Sequence, residues 1–252
     1  MGTNKTFEYI DDKTVAAFIK KNDEFFNKKL TRHFNYSRVA CLADFQKITA
    51  RFDISQLSKV AVVSGSASDP ELKILSYQNL DILDYDACSD SYNLDRDWSI
   101  ADNFMTEGGG RRRYDFVLCN QVFEHIYSPF QGLKNLSSIT RPGGYIWISV
   151  PTINCIHGEP YFYSAGYHPR FLDRLGKEAG LECVHIGAWG NKKYLTAAVL
   201  GRWLTHDRLR PGFHTKFDFV YPYHALKDGR VNDLSGNFIT DCWALFKNSQ
   251  YD

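Results

Sequence analysis

Three short, almost wholly apolar runs constrain the fold most: VAVVSG (60–65), YDFVLCN (114–120) and RPGGYIWISVP (141–151). They are too short and too continuous for amphipathic helices, and they end in small or turn-forming residues, as strands covered on both faces of a parallel sheet do. Between them the period changes. DPELKIL (69–75) opens with acid, Pro and acid, a helix-start pattern, and residues 121–139 have helix length. HPRFLDRLGKEAGLECVHIGAWG (168–190) repeats the scheme with a helix, a stop at Gly180 and a strand. NLDILDYD (79–86), SYNLDRDW (91–98) and FITDCWALFK (238–247) are read as further strands. Strands alternating with helices imply βαβ units, hence an α/β fold with a mostly parallel, seven-stranded sheet and helices on both faces.

Before the first strand, residues 14–48 carry apolar side chains at helical spacing, including Val15, Phe18, Ile19, Phe25, Phe26 and Leu30. They predict an N-terminal helical cap (1–57) that covers the site or packs against the sheet. The α/β core is expected over 58–190, and 191–252 is expected to hold an aromatic-rich insertion and the final strand.

At 252 residues the chain suits a single domain with one core. The net charge is +1 and the basic residues are scattered apart from Arg111–Arg113, which argues against a nucleic-acid partner. No apolar run approaches the ~20 residues that span a bilayer, and MGTNKTFEYIDDK lacks a signal-peptide core, so a cytoplasmic location is expected. Six cysteines without a CxxC pair are read as reduced, buried thiols.

The block YDFVLCNQVFEHIYSPFQGLKNLSSITRPGGYIWISVP (114–151) resembles the central block of class I S-adenosylmethionine-dependent methyltransferases. It has the strand, the acidic and His start after it, the helix, the Pro-Gly-Gly turn and the next strand. The resemblance extends over 58–190 and implies a Rossmann-like fold that binds S-adenosylmethionine and releases S-adenosylhomocysteine. It departs from the family in the first loop, where VVSGSASDPE holds one glycine, Gly65, in place of a Gly-x-Gly-x-Gly run.

In such sheets the ligand lies beyond the carboxyl ends of the strands, where strand order reverses. The resemblance therefore places Ser64, Gly65 and Ser66 against the cofactor. Asp84 or Asp86 is expected to accept from its ribose hydroxyls, Asp97 and Trp98 to flank its adenine, and Asn120 and Gln121 to lie near its methionine end.

Methyl transfer to a hydroxyl needs alignment and a proton acceptor. The candidates are Glu124 and His125, directly after the fourth strand, then His157 and His168. Glu124 and His125 are also an alternative pair of ligands for a divalent metal, with Gln121, His157, Glu159 or His168 as companions. Tyr161, Phe162, Tyr163 and Tyr167 are expected near the mouth, suited to a sugar face or a flat ring.

The leading reading is an O-methyltransferase acting on a sugar, a glycan or another small molecule. A scaffold or binding module of the same fold without chemistry is the alternative from another class. A nucleotide-sugar or NAD-binding enzyme is the third, and the missing GxGxxG after the first strand counts against it.

Overall fold

The computed structural model describes residues 7–32, 34–84, 92–98, 113–154, 156–158, 160–190, 230–231 and 239–249. Eight strands form one sheet: β1 (Phe7–Tyr9), β2 (Leu57–Val63), β3 (Tyr77–Leu83), β4 (Tyr114–Asn120), β5 (Thr140–Pro151), β6 (Glu182–Trp189), β7 (Arg230–Val231) and β8 (Asp241–Lys247). Their order is β3-β2-β4-β5-β8-β6-β1-β7. The β3-β2, β2-β4, β4-β5 and β6-β1 pairs are parallel, and β8 runs antiparallel between β5 and β6. The α/β, Rossmann-like architecture is as expected. Two additional strands extend the sheet beyond β6 because β1, in the segment read as helical cap, pairs with β6, and β7 pairs with β1.

Alternating side chains of the central strands build two cores, because neighbours along a strand point to opposite faces. Val60, Val62, Phe116, Leu118, Trp147 and Trp243 pack on the side covered by α1 (Asp12–Asn22) and α3 (Tyr36–Arg51). Ala61, Val63, Val117, Cys119, Ile146 and Ile148 face α4 (Pro129–Ile139) and α5 (Pro169–Glu178). The predicted helical cap is thus a layer on one sheet face. Asp11 and Asn35 start its helices by accepting from the backbone N–H of Thr14 and Arg38, and α2 (Lys29–Arg32) lies between them. Gly180, at φ +71°, ends α5 as predicted.

Three local expectations change. Residues 92–98, read as a strand, form turns. Asn135 of α4 accepts from the Trp98 N–H and donates to the carbonyls of Leu94 and Arg96, so the segment's backbone is satisfied without a strand partner. The helix expected over 121–139 is divided. A 3₁₀ turn covers Phe123–His125, and α4 starts at Pro129, whose fixed φ suits a first helical position. The helix expected over 69–75 is a 3₁₀ turn at Pro70–Lys73, with no side-chain cap from Asp69. Cys41, Cys119, Cys183 and Cys242 are buried and form no disulfide. Among the described residues no helix is long and apolar enough to cross a membrane.

Candidate functional site

The chain goes from β2 out to β3 and then returns to β4 on the other side of β2. Strand order therefore reverses between β2 and β4, and both strands end there in a left-handed residue. Ser64 has φ +49° and Gln121 φ +53°. Non-glycine residues in this region cost conformational energy that the surroundings must hold in place. The Ser64 N–H donates to the Leu83 carbonyl (3.0 Å), and that of Gln121 to the Ser149 carbonyl (2.8 Å).

A cleft of about 390 Å³ opens at this point, within the size range of small-molecule sites. Its lining includes Ser64, Tyr92, Asn93, Asp95, Gln121, His125, Gly158, Tyr161 and Tyr163. Asp95 fixes one wall by accepting from the N–H groups of Tyr127 (3.0 Å) and Ser128 (2.5 Å) ahead of α4. The opposite wall is a loop tied to the 3₁₀ turn, in which the N–H groups of Tyr163 and Ser164 donate to the Glu124 carbonyl at 2.9 and 3.2 Å. Tyr167 is buried and anchors the same turn by donating its hydroxyl to the Phe123 carbonyl (2.7 Å).

The Glu124 side chain is 1% exposed, and neither carboxylate oxygen has a hydrogen-bond partner from another residue. Burial pushes its pKa up to about 7; its own backbone lowers it in part, and the charge of Asp241 raises it further. His125 places Nδ1 2.6 Å from the Tyr161 carbonyl, which only accepts, so Nδ1 donates there and Nε2 lies outside this contact. The rings of His125 and His157 meet edge to face at 4.7 Å between centroids, and Phe162 packs on both. Gly158, at φ +65°, lets the loop approach this closely: a Cβ there would lie 2.9 Å from His125 Cε1.

Ser64, Gln121 and His125 thus come together in the cleft, with Glu124 and His157 beside them. Gly65 and Ser66 follow Ser64 in the turn. A Cβ on Gly65 would sit 2.5 Å from Val62 Cγ1 and Asp69 Oδ2, so glycine is required there by space rather than by φ. Asp84 is exposed at the end of β3, and Asp97 is exposed. Trp98 is 2% exposed, belongs to the α4-side core and donates Nε1–H to the Asn93 carbonyl (2.8 Å). Asn120 accepts from the Ser149 hydroxyl (2.8 Å), while its Nδ2 is buried without a partner. His168 accepts through Nδ1 from the Arg170 N–H (3.1 Å) and caps α5; burial and the nearby Arg170 lower its pKa. Asp86 and Glu159 lie outside the described residues.

Sequence reasoning missed a second, smaller cavity of about 140 Å³ on the α3 side of Gln121. It is lined by Ser37, Arg38, Cys41, Ser149 and Asp241 among others. Asp241 accepts from the Ser37 hydroxyl and from Gln121 Nε2 (3.4 Å), and Arg38 is paired at 2.6 Å with fully buried Glu71. Gln121 lines both cavities. An acid directly before the apolar run CWALF of the final strand was the available signal for Asp241; Arg38 and Glu71 carry none, being far apart in the chain.

The comparisons with known proteins agree with this architecture. Residues 60–186, half of the chain, match the family model described as a methyltransferase domain. Curated relatives include a ubiquinone biosynthesis O-methyltransferase of Aeromonas salmonicida, 30% identical over 36% of this chain and 33% of that protein. One of Aliivibrio fischeri is 22% identical over 54% of this chain and 45% of that protein. The matches therefore span less than half the length of these relatives. Solved structures of similar fold include a 1,6-didemethyltoxoflavin-N1-methyltransferase of Burkholderia thailandensis (11% identity, TM-score 0.43, 94% of this chain and 86% of that chain). A phosphoethanolamine N-methyltransferase 2 of Haemonchus contortus is another (11% identity, TM-score 0.41, 89% and 60%). The matched domain spans the strands that form the cleft, and the chain belongs to the class I, S-adenosylmethionine-dependent methyltransferase family.

Proposed function

We propose that the chain transfers the methyl group of S-adenosylmethionine to a hydroxyl of a small ring-shaped acceptor, with a sugar or glycan among the acceptors to be tested. The observation that supports this is the cleft at the strand tips, where Ser64 and Gln121 meet the group Glu124, His125 and His157. Ser64, Gly65, Ser66, Asp84, Asn120 and Gln121 form the donor side of this reading. The second side holds the proton-accepting groups and the aromatic wall of Tyr92, Tyr161 and Tyr163. Relatives named as O-methyltransferases favour oxygen as the acceptor atom.

In the reaction the acceptor oxygen attacks the methyl carbon in line, the carbon–sulfur bond breaks, and S-adenosylhomocysteine leaves with the electron pair. The hydroxyl proton passes to a neighbouring base. Glu124, whose pKa burial pushes up to about 7, suits that task at physiological pH, and His125, with Nδ1 engaged by the Tyr161 carbonyl, has Nε2 outside that contact.

A second reading, ligand binding without chemistry, draws on one observation: the loop after β2 has a single glycine and leads into a 3₁₀ turn of four residues. Turnover separates the two. Incubated with S-adenosylmethionine and a panel of deoxysugars, glycans and phenols, the protein is expected to release S-adenosylhomocysteine with at least one acceptor class. Donor binding with no release across the panel would favour the second reading, and release with phenols alone would remove the sugar assignment.

A further inference from the structure

We propose that Asp241 is a positioning residue for the methyl donor: from the small cavity it holds the Gln121 amide so that its carbonyl oxygen is left to accept from the α-ammonium of S-adenosylmethionine. The inference rests on the methyl-transfer reading and adds to it a residue of β8 that does not line the cleft.

Gln121 is the residue at which the two cavities meet. It lines both, at the tip of β4, and its backbone is held at φ +53°, a conformation that costs a non-glycine residue energy and clusters at functional sites. Asp241 Oδ1 accepts from Gln121 Nε2 (3.4 Å), and Oδ2 accepts from the Ser37 hydroxyl. A carboxylate only accepts, so the amide nitrogen has to face Asp241, and Oε1 takes the other branch of the amide. No group among the described residues donates to Oε1. A carbonyl oxygen of this kind calls for an N–H or O–H donor, and the negative charge behind it favours a cation. The α-ammonium of the methyl donor supplies both.

Stability does not explain a carboxylate at this place. Burial pushes the Asp241 pKa up to about 6, with the hydrogen bonds from Ser37, Thr240 and Gln121 and the Arg38 charge opposing in part, so the ionised form is disfavoured in the fold at neutral pH. Arg38 is itself paired with Glu71 at 2.6 Å. Asparagine would keep a hydrogen bond to Ser37 without that penalty. It would also donate as well as accept, and Gln121 could then face it with either end of its amide. A group that is unfavourable for folding, yet fixes the polarity of a strained side chain at the cleft, is expected where function requires it. The Asp241 charge also reaches the cleft acid: after burial, it is the cause that raises the Glu124 pKa to about 7.

The test compares S-adenosylhomocysteine, which carries the amino-acid end, with 5′-methylthioadenosine, which lacks it, by calorimetric titration of the full chain at pH 8. Gln121→Met is expected to weaken S-adenosylhomocysteine about tenfold or more, the scale of one hydrogen bond to a charged group, and Asp241→Asn at least about threefold. The double variant should bind it no more weakly than Gln121→Met alone, and none of the three should change the binding of 5′-methylthioadenosine. Asp241→Asn should do this while melting no lower than wild type, a combination that a merely structural role does not produce. Wild-type affinity of Asp241→Asn for S-adenosylhomocysteine, additive losses in the double variant, or equal losses for both ligands would overturn the positioning and leave the methyl-transfer reading standing. Wild type that binds neither ligand at millimolar concentration would remove that reading and the positioning with it.

Discussion

Replacing Asp44 by alanine is expected to lower the unfolding free energy by about 3–5 kcal/mol, the scale for deleting one partner of a buried charged network. Asp44 lies on α3 with no solvent exposure, and its Oδ2 accepts from Trp243 Nε1 on β8 and His185 Nε2 on β6, both at 2.6 Å. Alanine leaves two buried N–H groups without an acceptor and opens a void beside the indole. The penalty is mostly that of desolvated, unpaired donors. Gly187 on β6 completes the arrangement, because a Cβ there would collide with both Trp243 Nε1 and Asp44 Oδ2. Asp44→Asn, which keeps an acceptor oxygen, should cost markedly less. Urea unfolding of the two variants beside wild type measures the difference, and a loss below about 1 kcal/mol for Asp44→Ala would show that the network does not hold α3 on the sheet.

Asp241→Asn is expected to stabilise the protein at pH 8, on the order of 2 kcal/mol, and to leave it nearly unchanged at pH 4. Asp241 sits among Ser37, Gln121 and Arg38 at the small cavity, and burial pushes its pKa up from 3.8 to about 6, with the Ser37 hydroxyl, Thr240, Gln121 and the Arg38 charge opposing in part. A carboxyl whose folded pKa is raised binds its proton more tightly folded than unfolded. Its favourable contribution is complete below about pH 4 and is lost as pH rises through about 6. Asparagine, which never ionises, avoids that loss while keeping an acceptor for Ser37. Melting temperatures across pH 4–8 should therefore diverge above pH 5, and parallel curves for variant and wild type would contradict the raised pKa.

The central fold was legible because β2, β4 and β5 are covered on both faces and their sequences are correspondingly apolar. Gly180 marked a real boundary, whereas the Pro-Gly-Gly segment, read as a turn ahead of the strand, lies inside β5, where Gly143 has φ +75° and the pairing with β4 shifts register between Thr140 and Tyr145. β1 was not legible: three residues between β6 and the edge strand β7 carry no period long enough to read. Residues 92–98 misled because their apolar positions, Leu94 and Trp98, belong to a turn held by a side chain more than thirty residues away, Asn135. The site was readable in part for the same reason. Glu124 and His125 are contiguous, and their place after β4 identified them, whereas the approach of His157 depends on a left-handed glycine and on loop hydrogen bonds to the Glu124 carbonyl. Asp241, Arg38 and Glu71 meet across the sheet, and local sequence does not encode such meetings.

The most direct test of the account is calorimetric titration of the purified chain with S-adenosylmethionine and S-adenosylhomocysteine, with Gly65→Trp as the control for the turn after β2. A Cβ at Gly65 already crowds Val62 and Asp69, so an indole there displaces the turn that precedes the cleft. The account predicts saturable binding of both ligands to wild type and none to folded Gly65→Trp. No binding to wild type at millimolar ligand, or equal binding to the variant, would contradict a donor site at the ends of β2 and β4.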